Sequence, residues 1–174
     1  MICGEKIGIR LVESDEDAKI IVEARGNPKV MGRYCPPGIV TKNHLFPEKP
    51  NGQQNYVIVR LSDPTKVIGE VSCSKGPFLI YNIGFWIFPE FRHKGYCVEA
   101  VKIVADYLFL VVNTERLQCE THIENKIAQK TIEKIGFQKE GVLRKSYLIN
   151  GILSDMIVYG LLRTDWKEPS YLKS

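Results

Sequence analysis

The residues Trp86-Ile-Phe-Pro89-Glu-Phe-Arg92-His-Lys-Gly95-Tyr-Cys97-Val-Glu-Ala100 decide how this chain is read. An apolar run of strand character breaks at Pro89, passes through a basic turn and re-emerges as a helical pattern. A helix N-terminus presents backbone N–H groups with no partner inside the helix, together with the positive end of its dipole, and so attracts anions. Arg92, His93 and Lys94 add cationic side chains beside that terminus, with Gly95 at the entry to the helix. The stretch reads as a phosphate cradle. An ordinary solvated turn is the alternative, and the strand and helix on either side disfavour it.

Outward from the turn, residues 95–112 place Cys97, Val101, Val104, Ala105, Leu108, Val111 and Val112 on one stripe, the spacing of a helix packed on a sheet. Upstream, Tyr56 to Leu61, Val67 to Ser74 and Leu79 to Phe88 are β-rich runs separated by Ser-Asp-Pro-Thr and Ser-Lys-Gly-Pro, which predicts an antiparallel meander. Lys6 to Val12 suits a first strand, and Ser14 with Asp17 marks the start of a helix that Gly26-Asn27-Pro28 ends. From Pro28 to Asn55 the prolines and glycines leave room for little beyond a short helix near Lys42 to Phe46; connections this long are often binding loops.

Downstream, Arg116 to His122 predicts a strand, and Asn125 to Ile135 a helix with Ile127, Ala128, Ile132 and Ile135 turned inward. Phe137 to Leu148 and Ile152 to Leu162 form a hairpin closed at Asn150-Gly151. The fold expected is a single α/β (α+β) domain: a mixed, mostly antiparallel sheet of about seven strands flanked by about four helices, one of which joins parallel neighbours. Residues 1–165 form that domain, and 166–174 read as a frayed polar tail.

With 174 residues, 44% of them hydrophobic, the chain buries one substantial core. The net charge of +4 is mild and the basic residues are interspersed with acids, which excludes a nucleic-acid arm and fits a small anionic ligand. The five cysteines are widely spaced, with no Cys-x-x-Cys pair and no His partner at metal spacing, so reduced thiols and no metal site are expected. The first residues lack the apolar core of a signal peptide and no stretch is long enough to span a bilayer, so no membrane association and a cytoplasmic location are expected.

Arg92-His-Lys-Gly95-Tyr-Cys97 resembles the acetyl-CoA signature of the GCN5-related N-acetyltransferase superfamily, Arg/Gln-x-x-Gly-x-Gly/Ala, placed after a strand as that family requires. Asn125-x-x-Ala128 followed by Glu133-Lys134-Ile135-Gly136-Phe137 resembles a second block of the same superfamily, and the likeness covers nearly the whole chain. With Gly141-Val-Leu-Arg-Lys-Ser and Asn150-Gly-x-x-x-Asp155, it is most similar to the branch that acetylates N-terminal amines of ribosomal proteins, a branch that also holds small-molecule and antibiotic acetyltransferases. Two departures stand out. Cys97 occupies the place of the last small residue, and Ala128 and Ile132 stand where relatives carry a Ser or a Tyr as the acid for the leaving thiolate.

The resemblance implies acetyl-CoA as co-substrate, direct transfer to an amine in a ternary complex, and no metal. Its cofactor-binding residues would be Trp86, Ile87 and Phe88, pairing with pantetheine where strands splay, then Arg92, His93, Lys94, Gly95, Tyr96 and Cys97 at the phosphates, and Asn125. Asn125 equally suits a plain helix cap. The acceptor would be a peptide or protein N-terminus, or a small-molecule amine, served by a monomer or a homodimer. The base is open: Asn82 stands where the family often has Glu, which leaves a water chain ending at Glu70 or Asp155. Asp155 as a backbone-binding residue beside the hairpin and Glu70 as a surface residue on an edge strand are the structural alternatives. Tyr147 and Tyr159 read as core or rim aromatics, and His122 as a satisfied imidazole. A non-catalytic acyl-CoA-binding module of the same fold is the competing function.

Overall fold

The computed structural model describes residues 1–35, 45, 53–166 and 168–172. Among them eight strands form one sheet: β1 (Ile2–Cys3), β2 (Ile7–Leu11), β3 (Gln53–Arg60), β4 (Asp63–Lys75), β5 (Ile80–Ile87), β6 (Arg116–His122), β7 (Gln138–Ile149) and β8 (Ile152–Leu162). Their spatial order is β1-β2-β3-β4-β5-β6-β8-β7, and only β5 and β6 run parallel. The helices are α1 (Asp15–Arg25), α2 (Pro28–Met31), α3 (Tyr96–Leu110) and α4 (Lys126–Ile135), with α3 as the crossover that the parallel pair needs.

Alternation along β3 builds both faces of the sheet. Tyr56 and Ile58 join the larger core, under α3 and α4, while Val57 and Val59 join a smaller one with Ala18 and Ile21 of α1 and with Leu45. Helix α1 starts where Ser14 accepts a hydrogen bond from the Asp17 amide, as its sequence predicts. Helix α2 was not expected; Asn27 caps it from inside the predicted stop signal, and Pro28 opens it. The helix expected near Lys42 to Phe46 lies outside the described residues except for Leu45.

The two helix stripes are corrected at their ends. Val111 is exposed because α3 stops at Leu110, and Ile127 faces out at the mouth of a cleft, 68% exposed. The expected frayed tail is also corrected over its described residues. Asp106, fully buried on α3, accepts hydrogen bonds from the Trp166 indole and from the backbone N–H groups of Ser170, Tyr171 and Leu172. Two turns earlier on the same helix face, Glu99 accepts from the N–H groups of Glu5, Lys6 and Ile7. One helix thus ties down segments near both ends of the chain.

Candidate active site

Strands β5 and β6 pair only from Ile80↔Arg116 to Asn82↔Gln118. Beyond that point β6 continues to His122 against β8, and β5 continues to Ile87 against β4, so the two separate. The backbone edge of β5 from Ile83 onward is released from its β6 neighbour. A cleft of about 710 Å³ opens into the gap, lined by Phe85, Trp86 and Ile87 on one wall and by Asn125, Ala128 and Thr131 on the other.

The basic turn forms the cleft's end. His93 and Gly95 both adopt the left-handed backbone, at φ 63 and 83, and Gly95 is the N-cap of α3 without a side-chain hydrogen bond. The N–H groups of the first turn of α3 are therefore left without a side-chain cap, at the end of the cleft that the turn forms. His93 and Lys94 are exposed beside it. Cys97 packs against the core, where burial, with Cys119 nearby, pushes its thiol far above the ordinary range. Its side chain leaves the helix entrance to backbone.

Of the ten residues expected to hold a cofactor, Trp86, Ile87, Arg92, His93, Lys94, Gly95, Tyr96, Cys97 and Asn125 line the cleft. Phe88 does not: its amide donates to the Ile68 carbonyl at 3.0 Å and its ring meets Trp86 edge-on. Arg92 lines the cleft but spends its guanidinium on backbone, donating to the Ile87 carbonyl at 2.9 Å and to the Val30 carbonyl. It joins the end of β5 to α2. Asn125 caps α4, accepting from the Ala128 amide at 3.2 Å. Thr131 also lines the cleft, and its hydroxyl donates to the Ile127 carbonyl.

Neither carboxylate expected to act as base lines the cleft. Glu70 is wholly buried on an interior strand, so the reading as an edge-strand surface residue is corrected as well. Its oxygens accept from Arg25 Nε at 3.0 Å, from the same guanidinium's terminal nitrogen at 2.6 Å, and from Trp86 Nε1 at 2.7 Å. The three donors occupy both carboxylate oxygens, and the indole contact fixes Trp86 in the cleft wall. Asp155 accepts the Lys145 amide at 2.8 Å where β7 bulges, which is the structural alternative given for it. Tyr159 is core, its hydroxyl donating to Glu133; burial first and that carboxylate second push it up to about 12. Tyr147 is exposed.

The sequence did not reveal the wall formed after α2. Gly32 turns the chain at φ 76, and Arg33 and Tyr34 then line the cleft. Tyr34 stacks on His122, with ring centroids 4.8 Å apart, and so reaches from α2 to the end of β6 across the opening. His122 Nδ1 accepts the Glu124 amide at 3.1 Å, leaving Nε2 to carry the proton of the neutral ring. The lining residues among those described include Arg33, Arg92, His93, Lys94, Lys130 and Lys134 and no Asp or Glu. Among the described residues no group of acidic, His and Cys side chains is placed to hold a metal, and no helix is long and apolar enough to cross a membrane.

A family model described as an acetyltransferase (GNAT) domain matches residues 6–138. The chain is 33% identical over 116 residues to the probable N-acetyltransferase YjcK of Bacillus subtilis (strain 168), covering 65% of this chain and 64% of that one. It is 32% identical over 85 residues to the putative ribosomal N-acetyltransferase YdaF of the same organism, covering 49% and 46%. The matched part thus spans less than two thirds of the length of either relative. A spermidine N-acetyltransferase from Vibrio cholerae, solved with CoA and spermine, has the same fold, with a TM-score of 0.80 at 21% identity over 93% of this chain and 98% of that one.

Proposed function

The chain belongs to the GNAT acetyltransferase family, and from that premise we propose that it is an acetyl-CoA-dependent N-acetyltransferase acting on a primary amine, with a peptide or protein N-terminus preferred. The observation that carries this reading is the combination, in one cleft, of separated parallel strands and an uncapped helix N-terminus entered through left-handed His93 and Gly95. Such a cradle offers a diphosphate several backbone N–H groups at once.

Acetyl-CoA would supply the acetyl group already activated as a thioester. The turn from His93 to Cys97 holds the phosphates, and the freed edge of β5 near Trp86 and Ile87 takes the pantetheine amides. Arg92 acts by locking the cleft walls together, and Glu70 by fixing Trp86 through its indole. Oriented backbone donors favour the oxyanion that develops during acyl transfer. Transfer is direct: the Cys97 thiol is core-packed and held protonated by burial, so the cleft offers no thiolate nucleophile.

The described cleft lining has cations and no carboxylates, which supports an acceptor that is not a polycation. A polyamine must keep its other ammonium groups charged, and these would meet Arg33, Lys130 and Lys134 with no carboxylate among the described lining residues to pair with. With no carboxylate in the described lining to act as base, the acceptor's proton passes to solvent. The rate then rises with pH through the acceptor's own ionisation, near about 8 for an α-amine and beyond about 10 for a lysine-type amine.

Calorimetric titration with acetyl-CoA, with ATP as control, tests the cofactor half of this reading. Saturable one-site binding of acetyl-CoA alone is expected. Absence of binding would overturn it.

A further inference from the structure

Phe91, buried at the turn between β5 and α3, has three cations around its ring. Lys66 lies 5.1 Å, Arg60 5.3 Å and Lys94 5.7 Å from the ring centroid. They come from three places in the sequence: the end of β3, the start of β4 and the basic turn itself. Attraction to an aromatic face is weak at exposed sites, and three like charges gathered on one ring repel one another. Among the described residues, the one ion pair in the group joins Arg60 to Asp63 at 3.7 Å. Lys66 and Lys94 have no ion-pair partner among the described residues, and Arg60 Nε is buried without a hydrogen-bond partner. Phe91 and Lys94 also line the cleft, so the cluster is continuous with the cradle.

We propose that Arg60, Lys66 and Lys94 form a second anion subsite beside the helix N-terminus, built for a phosphomonoester, and that its ligand is the 3′-phosphate of acetyl-CoA. This rests on the acetyl-CoA reading above. The chemistry separates the two subsites. Backbone N–H groups with fixed directions suit a diphosphate in the chain of a larger molecule. Lysine ammonium groups on flexible stems act as point charges, and suit a pendant monoester carrying close to two negative charges.

The test is calorimetric titration of the native protein, Lys66→Gln, Lys66→Arg and Arg60→Gln with acetyl-CoA and with 3′-dephospho-acetyl-CoA. The native protein should bind acetyl-CoA about fivefold or more tightly than the dephospho form. Lys66→Gln and Arg60→Gln should shrink that preference while leaving affinity for the dephospho form unchanged, and Lys66→Arg should keep it. Added salt should narrow the native preference, because the contacts are exposed.

Equal weakening of both ligands in Lys66→Gln, or no change with either, would overturn the proposal. Equal affinity of the native protein for both would overturn it without any variant, and would leave the function standing. Failure of the native protein to bind either would overturn the function and this subsite together.

Discussion

Glu70 is buried from bulk solvent, and two side chains bind its carboxylate: Arg25 through two nitrogens and Trp86 through its indole. Removing one member of such a buried pair leaves an uncompensated charge. Arg25→Ala should lower stability by about 3–5 kcal/mol, measured by urea unfolding. Glu70→Gln should loosen Trp86 and lower kcat/KM, while leaving the pH dependence of turnover where the acceptor sets it. A new pH dependence in that variant would restore Glu70 as the base.

A second carboxylate makes stability itself depend on pH. Burial opposes the charge of Asp17, but hydrogen bonds from Arg10, with the Ser14 hydroxyl and the charge of Arg10, outweigh it and hold the carboxyl below its ordinary range. Its contribution is complete above the unfolded value near about 4 and is lost as pH falls through the folded one. Urea midpoints should therefore fall on acidification below about pH 4, and less steeply in Asp17→Asn.

At the scale of elements, the cleft depends on two glycines, for different reasons. Gly69 of β4 lies so near β5 that an added Cβ would sit 2.4 Å from the Trp86 carbonyl oxygen. Gly69→Ala must push the two strands apart at the cleft wall. Gly95 has open space around it but a φ of 83, so alanine there meets no neighbour and strains only the backbone, by about 1–2 kcal/mol. Gly95→Ala should weaken acetyl-CoA binding about tenfold by calorimetry, and the strain should lower the thermal midpoint by about 2–8 °C.

The strands, the crossover helix and the basic turn were legible in the sequence because each rests on local periodicity or turn chemistry. The wall after α2 was not. Tyr34 meets His122 from 88 positions away, a contact that no spacing in the chain announces. The same limit explains Glu70 and Asp155. Both are acids on the predicted strands, yet which face each occupies, and which donors reach it, is set by register and by distant Arg25 and Lys145.

Over the whole molecule, α3 links the candidate site to both ends of the described residues, through Glu99 to the turn before β2 and through Asp106 to Trp166, Ser170, Tyr171 and Leu172. Asp106→Ala strands several backbone N–H groups and an indole N–H, and should cost about 2 kcal/mol or more in urea unfolding. Acetyl-CoA affinity should hold, because the cradle lies about three turns away at the other end of the helix. On the proposed reading, the cations of the described cleft lining disfavour a polycationic acceptor. The most direct test is to incubate the protein with acetyl-CoA and equal concentrations of a peptide with a free N-terminus and of spermidine, and to follow both products by mass spectrometry. The account predicts that the peptide gains one acetyl group at its α-amine and outpaces spermidine. Acetylation of spermidine alone would contradict the acceptor reading, and no acetylation of any amine despite bound acetyl-CoA would contradict catalysis itself.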